Sequence, residues 1–83
     1  MQDIPVLKLY KRIKRALHYH EAWAHGSKIA EHWGEVGERG QTAEHKRNRN
    51  LSEEENLRQV LSRPLSEGYE PFDADNYAVL LVE

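Results

Sequence analysis

Five histidines, two tryptophans and twelve Lys or Arg side chains are the groups in this 83-residue chain whose chemistry could serve a function. Imidazoles bind metals and titrate near neutral pH. His18 and His20 are two apart and share one face of a strand, while His32 and His45 are expected on the opposite face. The chain has no cysteine to complete a zinc site and no HExxH pair. No metal and no cofactor are therefore expected, and the histidines remain sheet residues that can make anion affinity depend on pH. GxSxG, GxxxxGK and a nucleophile–base pair at recognisable spacing are also absent. A small domain has little room to bury a substrate, so no catalytic residue is assigned and the chain is not expected to be an enzyme. Arg39, Lys46, Arg47 and Arg49 are candidates for phosphate contacts or else ordinary solvated surface, and Trp33, in the glycine-rich string HWGEVGERGQT, is either a stacking platform or a half-buried packing residue. Phosphate contacts of this kind position a protein on nucleic acid without reading sequence.

The elements that hold these residues follow from local pattern. Residues 18–23 and 28–36 flank Ala24-His25-Gly26-Ser27, where glycine suits a tight hairpin turn. With His25 and Gly26 as the loop, Trp23 lies near Lys28, Tyr19 near His32 and His18 near Trp33. A second turn at Gly37-Glu38-Arg39-Gly40 returns a strand over residues 41–47, with His32 facing His45. Residues 18–47 thus read as a three-stranded meander. Ser52-Glu53-Glu54-Glu55 is a capping box, in which Ser52 caps the N3 amide and Glu55 reaches back to the N-cap amide. The three carboxylates also complement the helix dipole. Leu57, Val60 and Leu61 form the apolar stripe of that helix, and Pro64 is expected to end it near Ser62 or Arg63. Gly68-Tyr69-Glu70-Pro71 reads as a turn, and the apolar run at residues 77–82 as a buried strand.

The N-terminal stretch fits two periods. Val6, Leu9, Tyr10, Ile13 and Leu17 follow helical spacing, with Lys8, Lys11, Arg12, Lys14 and Arg15 on the other side. Such a helix could touch a membrane surface. Leu7, Leu9, Ile13 and Leu17 also fit one strand face, which places Lys8, Arg12 and Lys14 on one side and Lys11 and Arg15 on the other. Periodicity alone favours the helix.

Composition bounds the whole. Eighty-three residues support one domain, since two separately cored domains need roughly 100 or more. Apolar residues are 39% and charged residues 31% of the chain. No run approaches the ~20 apolar residues of a membrane span, and the charged N-terminus has no secretory h-region. Absence of cysteine fits a reducing compartment, so a cytoplasmic location is expected. Residues 1–50 hold ten Lys or Arg against six Asp or Glu, a net +4, while residues 51–83 hold two against eight, a net −6. A basic face and an acidic one are expected from such a split.

The motif string resembles the WGR domain, whose signature is Trp-Gly-Arg, a small hydrophobic residue, Gly, a short spacer and Gly-Gln. Trp33, Gly34, Val36, Gly37, Gly40 and Gln41 match it. An aromatic-containing strand precedes the motif in the family, as HYHEAW does here. An acidic-starting helix and a Gly-Tyr follow it, as SEEENLRQVL and Gly68-Tyr69 do. The resemblance spans roughly residues 7–71 and implies a first strand over residues 7–13. It implies an α+β fold, a small twisted antiparallel sheet of four to five strands with one helix packed on it.

The domain occurs in poly(ADP-ribose) polymerases responsive to DNA damage and in stand-alone bacterial proteins. In the polymerases its Trp packs on the sugar-phosphate of a DNA end. The resemblance therefore implies nucleic-acid binding, DNA in the first place, with Trp33, Gly34, Arg39, Gln41, Lys46, Arg47 and Arg49 as the contacting set. Glu35 stands where the family has Arg, and a carboxylate beside Trp33 repels phosphate. The alternative partner is a protein or a second copy of the chain, and no membrane partner is expected.

Overall fold

A computed structural model describes residues 6–71. Strands β1 (Val6–Ile13), β2 (Ala16–His25), β3 (Lys28–Glu35) and β4 (Gln41–Lys46) precede helices α1 (Glu53–Val60) and α2 (Ser62–Ser66). The strands form an antiparallel sheet in the order β1-β2-β3-β4. This is a small α+β arrangement. None of the described helices is long and apolar enough to cross a membrane.

The core explains why β1 is a strand. Leu9, Ala22 and Ile29 are buried on one face of the sheet and meet Leu57 and Leu61 from the helical segment, with Leu7, Ala24, Val60, Leu65 and Tyr69 packed around them. In β1 the inward residues are Leu7 and Leu9, a period of two. Val6 and Ile13, which complete the helical pattern, are 53% and 39% exposed. Helical spacing there is a coincidence of composition: the helix favoured by periodicity does not form, and the strand expected over residues 7–13 does. Lys8 and Arg12 share the outward face, as the strand reading requires. Lys14 instead sits in the β1–β2 turn with φ 58°.

Two hairpin registers differ from the spacing argument, with different consequences. Between β2 and β3 the loop is Gly26-Ser27, and His25 pairs with Lys28. Trp23 therefore lies opposite Ala30, His20 opposite Trp33 and Glu21 opposite His32. A shift of two leaves every side chain on its expected face. Between β3 and β4 the connection runs over residues 36–40, so Trp33 pairs with Gln41 and His32 with Thr42. This shift is odd, and an odd shift turns a strand over. His45 consequently lies opposite Ile29 on the helix-covered face, away from His32. The cause is local. Gly34 and Glu35 pair only with β2, the Val36 amide bonds the Leu17 carbonyl at 2.8 Å, and the Glu38 amide bonds the Glu35 carbonyl at 3.0 Å. The chain therefore bends away before it can pair as a tight hairpin.

The capping box of α1 is present, with the Glu55 amide donating to Ser52 Oγ and the Ser52 amide to Glu55 Oε1, both at 3.1 Å. Pro64 does not end the helical segment. Leu61 caps α1, and a short α2 follows with Pro64 in its first turn, where a missing N–H breaks no helical bond. Buried Asn56 ties the helix to the preceding loop. Its Oδ1 accepts from the Asn48 amide at 2.9 Å, and its Nδ2 donates to the carbonyls of Asn48, Leu51 and Ser52. After Gly68, in the left-handed region at φ 97°, the chain returns to the outer edge of β1. There Tyr10 and Glu70 exchange two backbone hydrogen bonds of 2.8 and 2.9 Å. The strand expected over residues 77–82 lies outside the described residues.

Candidate nucleic-acid interface

The sheet divides the chemistry into two faces. On the helix-covered face His20 stacks on Trp33, with ring centroids 5.4 Å apart and planes 19° from parallel, and meets Tyr69 edge-on at 5.8 Å. Glu31 holds two imidazoles at once, His20 Nε2 on Oε2 and His45 Nε2 on Oε1, each at 2.5 Å. This His20–Glu31–His45 bridge was hidden from spacing arguments, because only the turned-over β4 brings His45 to it. A tetrahedral ion about 2 Å from each ligand would hold nitrogen and oxygen more than ~3 Å apart. Among the described residues no set of three or more His, Cys, Asp or Glu is arranged to hold a metal ion. Trp33 lines a groove of about 490 Å³ with His20, Glu31, Val60, Arg63, Pro64, Glu67 and Tyr69. Alternation along β3 puts Glu35 on this same face. Two carboxylates, Glu31 and Glu67, thus line the groove beside the motif tryptophan, with Arg63 paired to Glu67, and Glu35 shares the face.

On the open face a chain of polar contacts anchors the β3–β4 connection. Glu21 Oε2 accepts from His32 Nδ1 at 2.8 Å, and His32 Nε2 lies 3.0 Å from the Arg39 carbonyl and 3.1 Å from the Tyr19 hydroxyl. Lys8 Nζ is 3.7 Å from Glu21 Oε1. Gly40 closes onto this group. A Cβ there would stand 2.5 Å from Tyr19 Oη, 2.6 Å from the Trp33 carbonyl and 2.9 Å from His32 Nε2. A Cβ on Gly34 would meet Gly40 Cα at 2.8 Å. The motif glycines thus permit a close backbone crossing.

The bond to Glu21, and then the bond to the Arg39 carbonyl, hold the His32 proton and raise its pKa above the ordinary value, while partial burial and, less, Lys8 act against them. A raised folded-state value stabilises the protein fully below about pH 6.5, and this contribution is lost as pH rises through the folded value. His32→Gln is accordingly expected to destabilise the protein more at mildly acidic than at mildly basic pH. Urea denaturation of both proteins at the two pH values checks this, and an equal loss at both would contradict it.

The sequence-derived binding set does not converge on one spot. Trp33, Gly34, Arg39 and Gln41 lie at one end of the sheet, and Lys46, Arg47 and Arg49 lie at the other. Five residue steps of β4 separate Gln41 from Lys46, about 17 Å. Lys46, Arg47 and Arg49 instead join Ser27 and Lys28 around a concavity of about 480 Å³. The register places His25, Lys28 and Lys46 side by side across β2, β3 and β4 on the open face. Like charges directly opposite one another destabilise a sheet. Arg47 is held in place, its Nη2 3.1 Å from Glu53 Oε1 and its amide bonded to the Ser27 carbonyl. Lys28, Lys46 and Arg49 have no carboxylate partner among the described residues. His25 and Lys28 are the members that sequence reasoning missed, and hairpin pairing with Gly26-Ser27 as the loop is the signal that finds them. A scan of family models, a search of curated proteins and a search of solved structures each returned no match to this chain.

Proposed function

We propose that this chain is a small WGR-like module that binds nucleic acid, DNA in the first place, by gripping phosphates at the basic end of its sheet. The observation that carries the reading is the row His25–Lys28–Lys46, with Arg49 beside it and Arg47 supporting it. Two lysines opposed without a carboxylate between them are relieved when a phosphate supplies the negative charge. The motif supports the WGR-like part of the reading through its geometry, because Gly34 and Gly40 cross in contact beside the Trp33–Gln41 pair. The grip differs from the one implied by the motif alone. Glu31, Glu35 and Glu67 share the Trp33 face and make it a poor place for a phosphate.

Lys28→Glu combined with Lys46→Glu removes two cations and adds two anions on an exposed surface, where stability should barely change. Affinity for a labelled DNA, followed by fluorescence anisotropy at ~50 mM salt, is expected to fall about 100-fold or more. Arg39→Glu, at the far end, is expected to change it far less. Unchanged binding by the Lys28/Lys46 variant would remove this reading.

A further inference from the structure

We infer that the open face of the sheet is a platform for single-stranded nucleic acid, with Trp23 as the base-stacking residue. The inference rests on the phosphate-binding reading above and names the form of nucleic acid it serves. Both helices pack on the opposite face, where Leu9, Ala22 and Ile29 are buried, and among the described residues only the β3–β4 connection lies over this one, at its Tyr19–His32 end. Trp23 alternates with buried Ala22 and so projects from the open face, partly exposed. Its strand neighbours are Val6 on one side and Ala30 on the other. The small Ala30 leaves space beside the indole. One step of side-chain alternation, about 7 Å, separates Trp23 from His25 at the head of the basic row. An aromatic ring beside a phosphate grip is the arrangement that holds a strand by stacking and charge together.

The remaining charges on this face are of both signs, and the cations concentrate in the His25–Lys28–Lys46 row. Lys8 and Arg12 continue the positive side along β1. The carboxylates on or over it are Glu21, which is engaged by Lys8 and His32, Glu38 in the β3–β4 connection, Glu44 opposite Ala30 and Glu70, which pairs with Tyr10 at the β1 edge. The acidic set Glu31, Glu35 and Glu67 lies on the other face. A duplex hides the faces of its bases within the stack, so only a strand with free bases can use Trp23. Phosphates alone would not distinguish the two forms.

The test compares a thymidine homopolymer of about 12 nucleotides with a duplex of the same length. The wild-type chain is expected to bind the single strand at least about tenfold more tightly, since stacking adds to the phosphate contacts. Trp33→Phe leaves Trp23 as the sole indole, and its emission should be quenched by the homopolymer. Trp23→Phe leaves Trp33, whose emission should change little. Trp23→Ala, with folding checked by circular dichroism, should lose about tenfold for the single strand and almost nothing for the duplex. Equal affinity for both forms, or quenching confined to Trp33, overturns this inference and leaves the phosphate grip standing. Failure to bind either form overturns both. The quenching measurement on Trp33→Phe keeps Trp23 in place, so it decides the matter even if Trp23→Ala does not fold.

Discussion

Leu61→Ala is expected to lower the free energy of unfolding by about 3–4 kcal/mol. Leu61 is fully buried at 0% exposure and closes the cluster formed with Leu9, Ala22, Ile29 and Leu57. It also caps α1 and accepts the Leu65 amide, so it links the two helical segments. Truncation removes apolar burial and leaves a void that a layer of one sheet and a short helical segment can fill only by shifting the helix. A chain of this size has roughly 4–12 kcal/mol of stability in all. The variant should therefore show a large drop in the urea midpoint with little change in slope. A loss below about 1 kcal/mol would mean that the helical segment does not cover the sheet as described.

Gly40→Ala is expected to be the second severe change, at about 3 kcal/mol. Gly40 sits at φ 77°, and the added methyl would meet Tyr19 Oη, the Trp33 carbonyl and His32 Nε2 within 3 Å. Two of these neighbours cannot give way cheaply. The Trp33 carbonyl belongs to a paired strand, and the Tyr19 side chain is buried. Gly37 provides the control, since it has a positive φ of 97° but nothing within 4 Å of its would-be Cβ. Gly37→Ala should lose only about 1 kcal/mol, from backbone conformation alone. Similar losses at both positions would show that the close crossing of residues 34 and 40 is not what the motif glycines provide.

Much of the frame can be read from residue order, and the misses have specific physical causes. The capping box at Ser52–Glu55 and the Leu57/Leu61 stripe are local signals, and both are present. The meander follows from Gly26 and from the paired glycines at residues 37 and 40. The N-terminal element is ambiguous because Val6, Leu9, Tyr10 and Ile13 happen to fit 3.6 as well as Leu7 and Leu9 fit 2. The motif resemblance selects the strand, and packing against Ala22 and Ile29 is the physical reason for it. The β3–β4 register is harder, because a glycine-rich connection does not say how many residues it uses, and one extra residue turns a strand over. That single uncertainty separated His45 from Glu31 and hid the imidazole–carboxylate bridge. Lys46, Arg47 and Arg49 stand out as a basic run, whereas Lys28 joins them only through pairing across nearly twenty residues of chain. Trp23 and Trp33 look alike in sequence, yet they project from opposite faces, one next to the His25–Lys28–Lys46 row and the other in the groove with Glu31 and Glu67.

The dependence of DNA affinity on salt tests the phosphate grip most directly. Each phosphate neutralised by the basic row releases counterions, so log affinity should fall linearly with log salt. With three or four contacts from His25, Lys28, Lys46 and Arg49, a slope of about −2 to −4 is expected. The Lys28→Glu/Lys46→Glu protein should have lost most of both the affinity and the slope. No detectable binding at ~50 mM salt, or a wild-type slope near zero, would contradict nucleic-acid binding through this surface.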